Sequence, residues 1–134
     1  MRVLIACEYS GVVREAFNRM GHDAWSCDIL DTEIPGNHIK SDVLQILDDG
    51  WDLMVAHPPC TYLCSSGLHW NTRRPGREQL SLEAEDFFMR LYNANIPKIA
   101  VENSVGRMST SFRKPDQIIQ PWQYGHPESK ATCL

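Results

Sequence analysis

Short apolar runs that stop at a reactive polar residue recur along the chain, and no other feature constrains the fold as strongly. Residues 3–6 (VLIA) lead into Cys7 and Glu8, and 24–27 lead into Asp28. The run at 39–43 is broken by Asp42, and 52–56 ends at His57-Pro58-Pro59-Cys60, where neither proline can donate to a sheet ladder. A fifth run, 98–101, ends at Glu102-Asn103. Runs this short are buried strands. Between the first two, Val13, Ala16, Phe17 and Met20 fall at helical spacing, and Gly21 stops the helix. Before the fifth, Ala84, Phe87, Phe88 and Leu91 form a second helical stripe, with Glu83 and Glu85 expected in its early turns. The order strand, helix, strand, strand, strand, helix, strand predicts an α/β fold, a mostly parallel sheet with helices on both faces. Ligands of such sheets sit beyond the carboxyl ends of the strands, where Glu8, Asp28, Asp42, Cys60 and Glu102 all fall.

The remaining segments read as connections. Residues 31–38 contain the loop signal Pro35-Gly36-Asn37, and 61–77 read as a long polar loop. Beyond Ser104 lie Gly106, Pro115, Pro121 and Pro127, one further strand near Ile118-Ile119, and a closing KATCL that reads as a strand cut short. At 134 residues the chain is expected to be a single domain, 1–134. Hydrophobic residues at 43% and charged residues at 22% favour a folded chain. No apolar run is long enough to span a bilayer, and the start lacks the features of a signal peptide. Five irregularly spaced cysteines then point to reduced thiols and a cytoplasmic location. A net charge of -4 argues against a broadly basic nucleic-acid binder. Any such contact must come from a local patch, and Arg73, Arg74 and Arg77 near Trp70 form the best one; the same residues also fit a solvated loop.

Several residues carry both a chemical and a structural reading. The turn Cys7-Glu8-Tyr9-Ser10-Gly11 joins strand to helix, and its small residue lets a ligand approach the helix N-terminus. Asp28 lies about 20 residues on, the usual place of an acid that binds ribose hydroxyls, or it is a loop cap. Asp42 could accept from an exocyclic amine, or cap a helix starting at Val43. Cys60, held in a loop stiffened by two prolines, suits a nucleophilic thiolate, or is a buried structural cysteine. His57, Cys60, Cys64 and His69 lie close in sequence, but their spacing matches no standard zinc pattern. Glu102 could protonate a ring nitrogen, or be a solvated strand end.

Taken together, DLMVAHPPCTYL and KIAVENSVG resemble the DNA cytosine-C5 methyltransferases, whose PPC-type and ENV-type segments each follow a buried strand. LIACEYSGVVREAF resembles that family's opening motif: Gly11, Arg14, Ala16 and Phe17 fit it, while Cys7 and Tyr9 stand where Phe and Gly are usual. The resemblance covers nearly the whole chain in the right order and is greatest to compact members carried by phages and prophages. It implies a Rossmann-like fold that binds S-adenosylmethionine. Cofactor contacts are then expected from Glu8, Tyr9, Ser10, Gly11, Asp28, Ile29, Asp42, Val43 and Pro58. Within that set Asp28 takes the ribose, Asp42 the adenine amine, and Ile29 and Val43 flank the adenine. It implies catalysis by Cys60 and Glu102 on a cytosine flipped out of DNA. Pro59, Asn103, Arg73 and Arg74 are the implied substrate contacts, and no metal is implied. His57-Pro58-Pro59-Cys60-Thr61 replaces the family's Gly-Phe-Pro-Cys-Gln. Its Gln-x-Arg-x-Arg segment is not visible; residues 126–130 occupy roughly that region, with Lys130 a loose substitute. Family members continue into a target-recognition region, so the resemblance also implies that this chain lacks one.

Two other functions fit parts of the sequence. One is a non-catalytic domain that keeps the fold and binds nucleotide or a partner; a homo-oligomer is compatible with either reading. The other is a zinc nucleobase deaminase, on Pro59-Cys60 and His126-Pro127-Glu128, although the order is reversed and the cysteine spacing is one residue too long.

Overall fold

The computed structural model describes residues 1–63, 74–104, 106–120, 123, 125 and 132–134. They fall into two compact units, Met1–Pro58 with Arg90–Val101, and Pro59–Met89 with Glu102–Leu134.

The first unit is built on a five-stranded, wholly parallel sheet. Its strands are β1 (Arg2–Ala6), β2 (Asp23–Asp28), β3 (His38–Lys40), β4 (Leu53–Ala56) and β5 (Lys98–Val101), in the spatial order β3-β2-β1-β4-β5. Helix α1 (Val12–Arg19) follows β1, and a short 3-10 helix (Val43–Gln45) follows β3. The architecture is therefore α/β with a parallel sheet flanked by helices, and its strand order is compatible with a Rossmann-like fold. Alternation along the strands sorts the core into two faces. Val3, Ile5 and Ala24 lie on one, where Val13 and Phe17 of α1 pack with Leu53 and Val55. The opposite row, Leu4, Ala6, Cys27, Met54 and Ala56, is also at 0% exposure, so both faces are covered. Each large apolar side chain so buried stabilises the unit by about 1.5–3 kcal/mol. The β4 ladder ends where the prolines dictate. His57 N–H still donates to Ala6 O at 2.9 Å, and Pro58 and Pro59 have no N–H to continue.

The end of α1 differs from the sequence expectation. Met20 is 72% exposed, because the helix closes at Arg19 and Met20 lies at its C-cap. Asn18 instead joins α1 to β2, its side-chain oxygen accepting from Ala24 N–H at 2.9 Å. The third strand is also shorter than expected, since Asp42 caps the 3-10 helix rather than extending the sheet.

The second unit contains most of helix α2 (Arg77–Tyr92) and the short helix α3 (Arg107–Ser111). It also holds a small antiparallel sheet of β6 (Asn103–Ser104), β7 (Ile118–Ile119) and β8 (Thr132–Cys133), in the order β6-β8-β7. Helix α2 starts at Arg77, so Glu78 is its first-turn acid and Glu83 and Glu85 lie in its middle. Phe88 is buried and meets Phe112 edge-on, with ring centroids 6.1 Å apart. Arg107 binds Glu78 at 2.8 Å and Glu85 at 3.2 Å, joining α3 to two turns of α2. Among the described residues, no helix is long and apolar enough to cross a membrane.

Candidate functional site

In the first unit the strand order reverses between β1 and β4, the place where open parallel sheets bind ligands beyond their carboxyl ends. Two connections leave the sheet there: residues 7–11 after β1, and His57-Pro58 after β4.

The 7–11 turn is held from inside. Glu8 is only 6% exposed, and its carboxylate accepts from Val13 N–H at 2.8 Å, Arg14 N–H at 3.3 Å and Ser10 Oγ at 3.0 Å. Ser10 Oγ in turn accepts from Val12 N–H at 3.3 Å. The first amides of α1 are thus satisfied by the protein's own carboxylate, which suits the positive end of the helix. A ligand reaching this turn would meet Tyr9 and backbone, not the open helix N-terminus that the sequence suggested. Gly11 has a related explanation. Its φ is +85°, and a Cβ there would lie 2.7 Å from Arg14 Nη2. The glycine makes room for a buried guanidinium rather than for a ligand.

Asp28 and Asp42 stand beside the turn. Asp28 Oδ1 accepts from Leu30 N–H at 2.9 Å, and Asp42 Oδ1 accepts from Leu44 N–H at 3.0 Å. Both structural roles weighed from sequence, loop cap and helix cap, are therefore present. Each uses one carboxylate oxygen, and a carboxylate accepts up to about four hydrogen bonds, so capacity for a ligand remains. Ile29, next to Asp28, is 71% exposed, while Val43 and Pro58 are buried.

Cys7 ties these acids together. Among the described residues it is the non-glycine one with positive φ, at 61°. Burial pushes its thiol from the ordinary 9.0 to about 12, and the charges of Asp28 and Asp42 add to the rise. Cys27 is raised to about 11, again chiefly by burial. Both are therefore neutral thiols at pH 7, poor nucleophiles beside two carboxylates.

In the second unit, Cys60 begins a turn whose carbonyls are pinned one after another. Cys60 O accepts from Leu63 N–H at 2.9 Å, and Thr61 O from Arg77 Nη2 at 3.2 Å. Tyr62 O accepts from Ser81 Oγ at 2.7 Å, and Leu63 O from Arg107 N–H at 2.7 Å. Arg77 also lies 4.8 Å over the Tyr62 ring, so it belongs to this turn and not to a loop patch. Cys60 itself is half-buried and Pro59 exposed. Glu102 is half-buried and is the single residue between β5 and β6. Asn103, an implied substrate contact, is 4% exposed and pairs with Cys133 in the small sheet. Arg74 is exposed. Arg73, Cys64, His69, Trp70 and residues 126–130 lie outside the described residues. Among the described residues, no three of His, Cys, Asp and Glu are grouped closely enough to hold a metal ion.

Residues 7–11, Asp28 and Asp42 thus belong to one unit, and Cys60 and Glu102 to the other. Sequence reasoning overlooked Arg14, Ser81 and Arg107 as organising residues. Arg14 had a signal, an arginine between Val13 and Phe17 on the packed side of a short helix. Ser81 and Arg107 had none, because Ser81 meets a backbone carbonyl of a distant turn, and Arg107 meets Leu63 O and the carboxylates of Glu78 and Glu85 on another helix. No protein-family model and no curated protein matches this chain.

Proposed function

We propose that this chain is an S-adenosylmethionine-dependent methyltransferase of the DNA cytosine-C5 type, with a Rossmann-like cofactor unit. One observation carries the reading. Two acids with acceptor capacity to spare, Asp28 and Asp42, follow the adjacent strands β2 and β3 next to the 7–11 turn, where Glu8 N–H donates to Cys27 O at 3.1 Å and Ser41 N–H to Asp28 O at 3.0 Å. This donor set fits the cofactor: Asp28 accepts from the ribose hydroxyls, Asp42 from the adenine amine, and exposed Ile29 offers an apolar surface to the ring. Tyr9 and Ser10 line the approach, and Glu8 keeps that turn in shape. When bound, the cofactor supplies an electrophilic methyl group.

The chain's own residues then do the rest. Cys60, as thiolate, adds to C6 of a flipped-out cytosine. Glu102 delivers a proton to N3, so negative charge does not build up on the ring. The addition makes C5 nucleophilic. After methylation, loss of the C5 proton to a base expels Cys60 as thiolate and restores the double bond, and N3 returns its proton to Glu102. The pinned carbonyls of 60–63 support this role, because a nucleophile on a fixed turn needs no reorganisation before attack. Pro59 and Arg74 are the described residues offered to DNA.

The test is methyl transfer from labelled cofactor to DNA by the wild type and by Cys60→Ser. The variant should lose transfer by at least about 10³-fold while cofactor affinity stays within about twofold. A Cys60→Ser protein that methylates DNA at the wild-type rate refutes the assignment.

A further inference from the structure

We infer that Arg14 is a positioning residue: its buried guanidinium holds segment 29–37 in place and thereby sets the affinity of the cofactor site. The inference rests on the proposed reading of Asp28 and Ile29 as cofactor contacts, and it concerns a residue that the reaction itself does not use.

Arg14 is 0% exposed, which is exceptional for an arginine on an eight-residue helix. A buried cation is tolerated only when its donors are satisfied. Nε donates to Glu15 at 2.8 Å, and Nη1 donates to Ser26 Oγ at 3.0 Å and Thr32 Oγ1 at 3.2 Å. Nη2 donates to Ile34 O at 2.6 Å. Two of these four acceptors come from segment 29–37, which has no regular secondary structure to hold it. A third route is indirect. Ser26 Oγ lies 2.7 Å from His38 Nδ1, and His38 Nε2 lies 2.9 Å from Leu30 O. Because Leu30 O can only accept, the Nε2 carries the proton and donates. Leu30, Thr32 and Ile34 are thus fixed at alternate positions, the last two by the guanidinium itself and Leu30 through Ser26 and His38. Glu33 N–H completes the set by donating to Tyr9 O at 2.8 Å.

The chain has made room for this ion twice. A Cβ on Gly11 would lie 2.7 Å from Nη2, and one on Gly36 would lie 2.9 Å from Nη2 and from a Glu15 carboxylate oxygen. One glycine belongs to the turn bearing Tyr9 and the other to the segment itself, so the guanidinium is clasped between them. The result is visible at Ile29 and Leu30, 71% and 53% exposed. Two apolar side chains are held in water beside Asp28. A rim preformed in this way spares a ligand the ordering cost of the segment. Only a planar fork with several donors can reach all these acceptors at once, so lysine is no substitute.

The experiment compares wild type, Arg14→Met and Arg14→Lys by amide hydrogen exchange and by calorimetric titration with S-adenosylmethionine. Methionine keeps length without leaving an unpaired charge. We expect the Leu30 and Glu33 amides to exchange at least 10-fold faster in both variants, while amides of β1 and β2 keep their wild-type rates. Cofactor affinity should fall at least 10-fold in both. If Arg14→Met does not fold, Thr32→Val removes one tether with Arg14 in place and should move both readouts in the same direction. Unchanged exchange at Leu30 and Glu33 overturns the tether. Faster exchange with undiminished affinity overturns the link from tether to site. A folded wild type that binds no cofactor overturns the functional reading and with it that link, while the exchange data still decide whether Arg14 holds the segment.

Discussion

At the residue scale, the cysteines divide by environment. Cys7 and Cys27 are held as neutral thiols by burial, whereas Cys60 sits half-exposed on a pinned turn. Alkylation at pH 8 should therefore label Cys60 well before Cys7 and Cys27, as peptide mass mapping over time would show; early labelling of Cys27 would contradict the burial. The same shifts fix a pH dependence. A thiol whose folded pKa is raised is bound to its proton more tightly in the native state, so its contribution is complete below the unfolded value near 9. It is lost as pH rises from there toward 11–12. Chemical denaturation at pH 8 and pH 10.5 should show this alkaline loss, and Cys27→Ala should reduce it. Gly36 gives a steric counterpart. Alanine there meets the Arg14 guanidinium at 2.9 Å, and we expect a loss of about 1–3 kcal/mol in stability, in the range of overpacked sites.

At the scale of elements, the turn at 60–63 and the helix that pins it form the unit of function. Ser81 is fully buried, and its Oγ is the donor to Tyr62 O. Ser81→Ala leaves that carbonyl unsatisfied, which costs about 1–3 kcal/mol. It should also slow methyl transfer more than it changes cofactor affinity, since the displaced group is the nucleophile's turn. Equal effects on rate and affinity would show a general loss of structure instead. The elements themselves were legible from sequence wherever periodicity or a breaker marked them. All five parallel strands, both main helices and the strand at Ile118-Ile119 appear, because buried runs and apolar stripes are local signals. What sequence could not show was contact between distant polar groups. That Glu8 caps its own helix, that Arg14 reaches residues 26, 32 and 34, and that Arg77 leaves the basic patch for Thr61 all depend on tertiary distance. Met20 was misplaced for a related reason: spacing alone does not say where a helix ends.

On the scale of the whole molecule, each of the two units presents one half of the proposed chemistry. The first carries Asp28 and Asp42 after β2 and β3, on the β1 side of the reversal, and the second carries Cys60 and Glu102. Of the candidate site, the acids were legible because each follows an apolar run, and their double use as caps was weighed in advance. On the substrate side, Asn103 is buried in a strand, a tertiary pairing with Cys133 that no local signal shows, and Arg73 lies outside the described residues. The central claim is that the first unit binds S-adenosylmethionine through Asp28, and calorimetric titration of the wild type and of Asp28→Ala tests it most directly. Saturable binding by the wild type is expected, with a loss of about 10- to 100-fold in the variant, the size of charge-assisted hydrogen bonds. A folded wild type that gives no heat of binding, or an Asp28→Ala protein that binds as tightly, would contradict it.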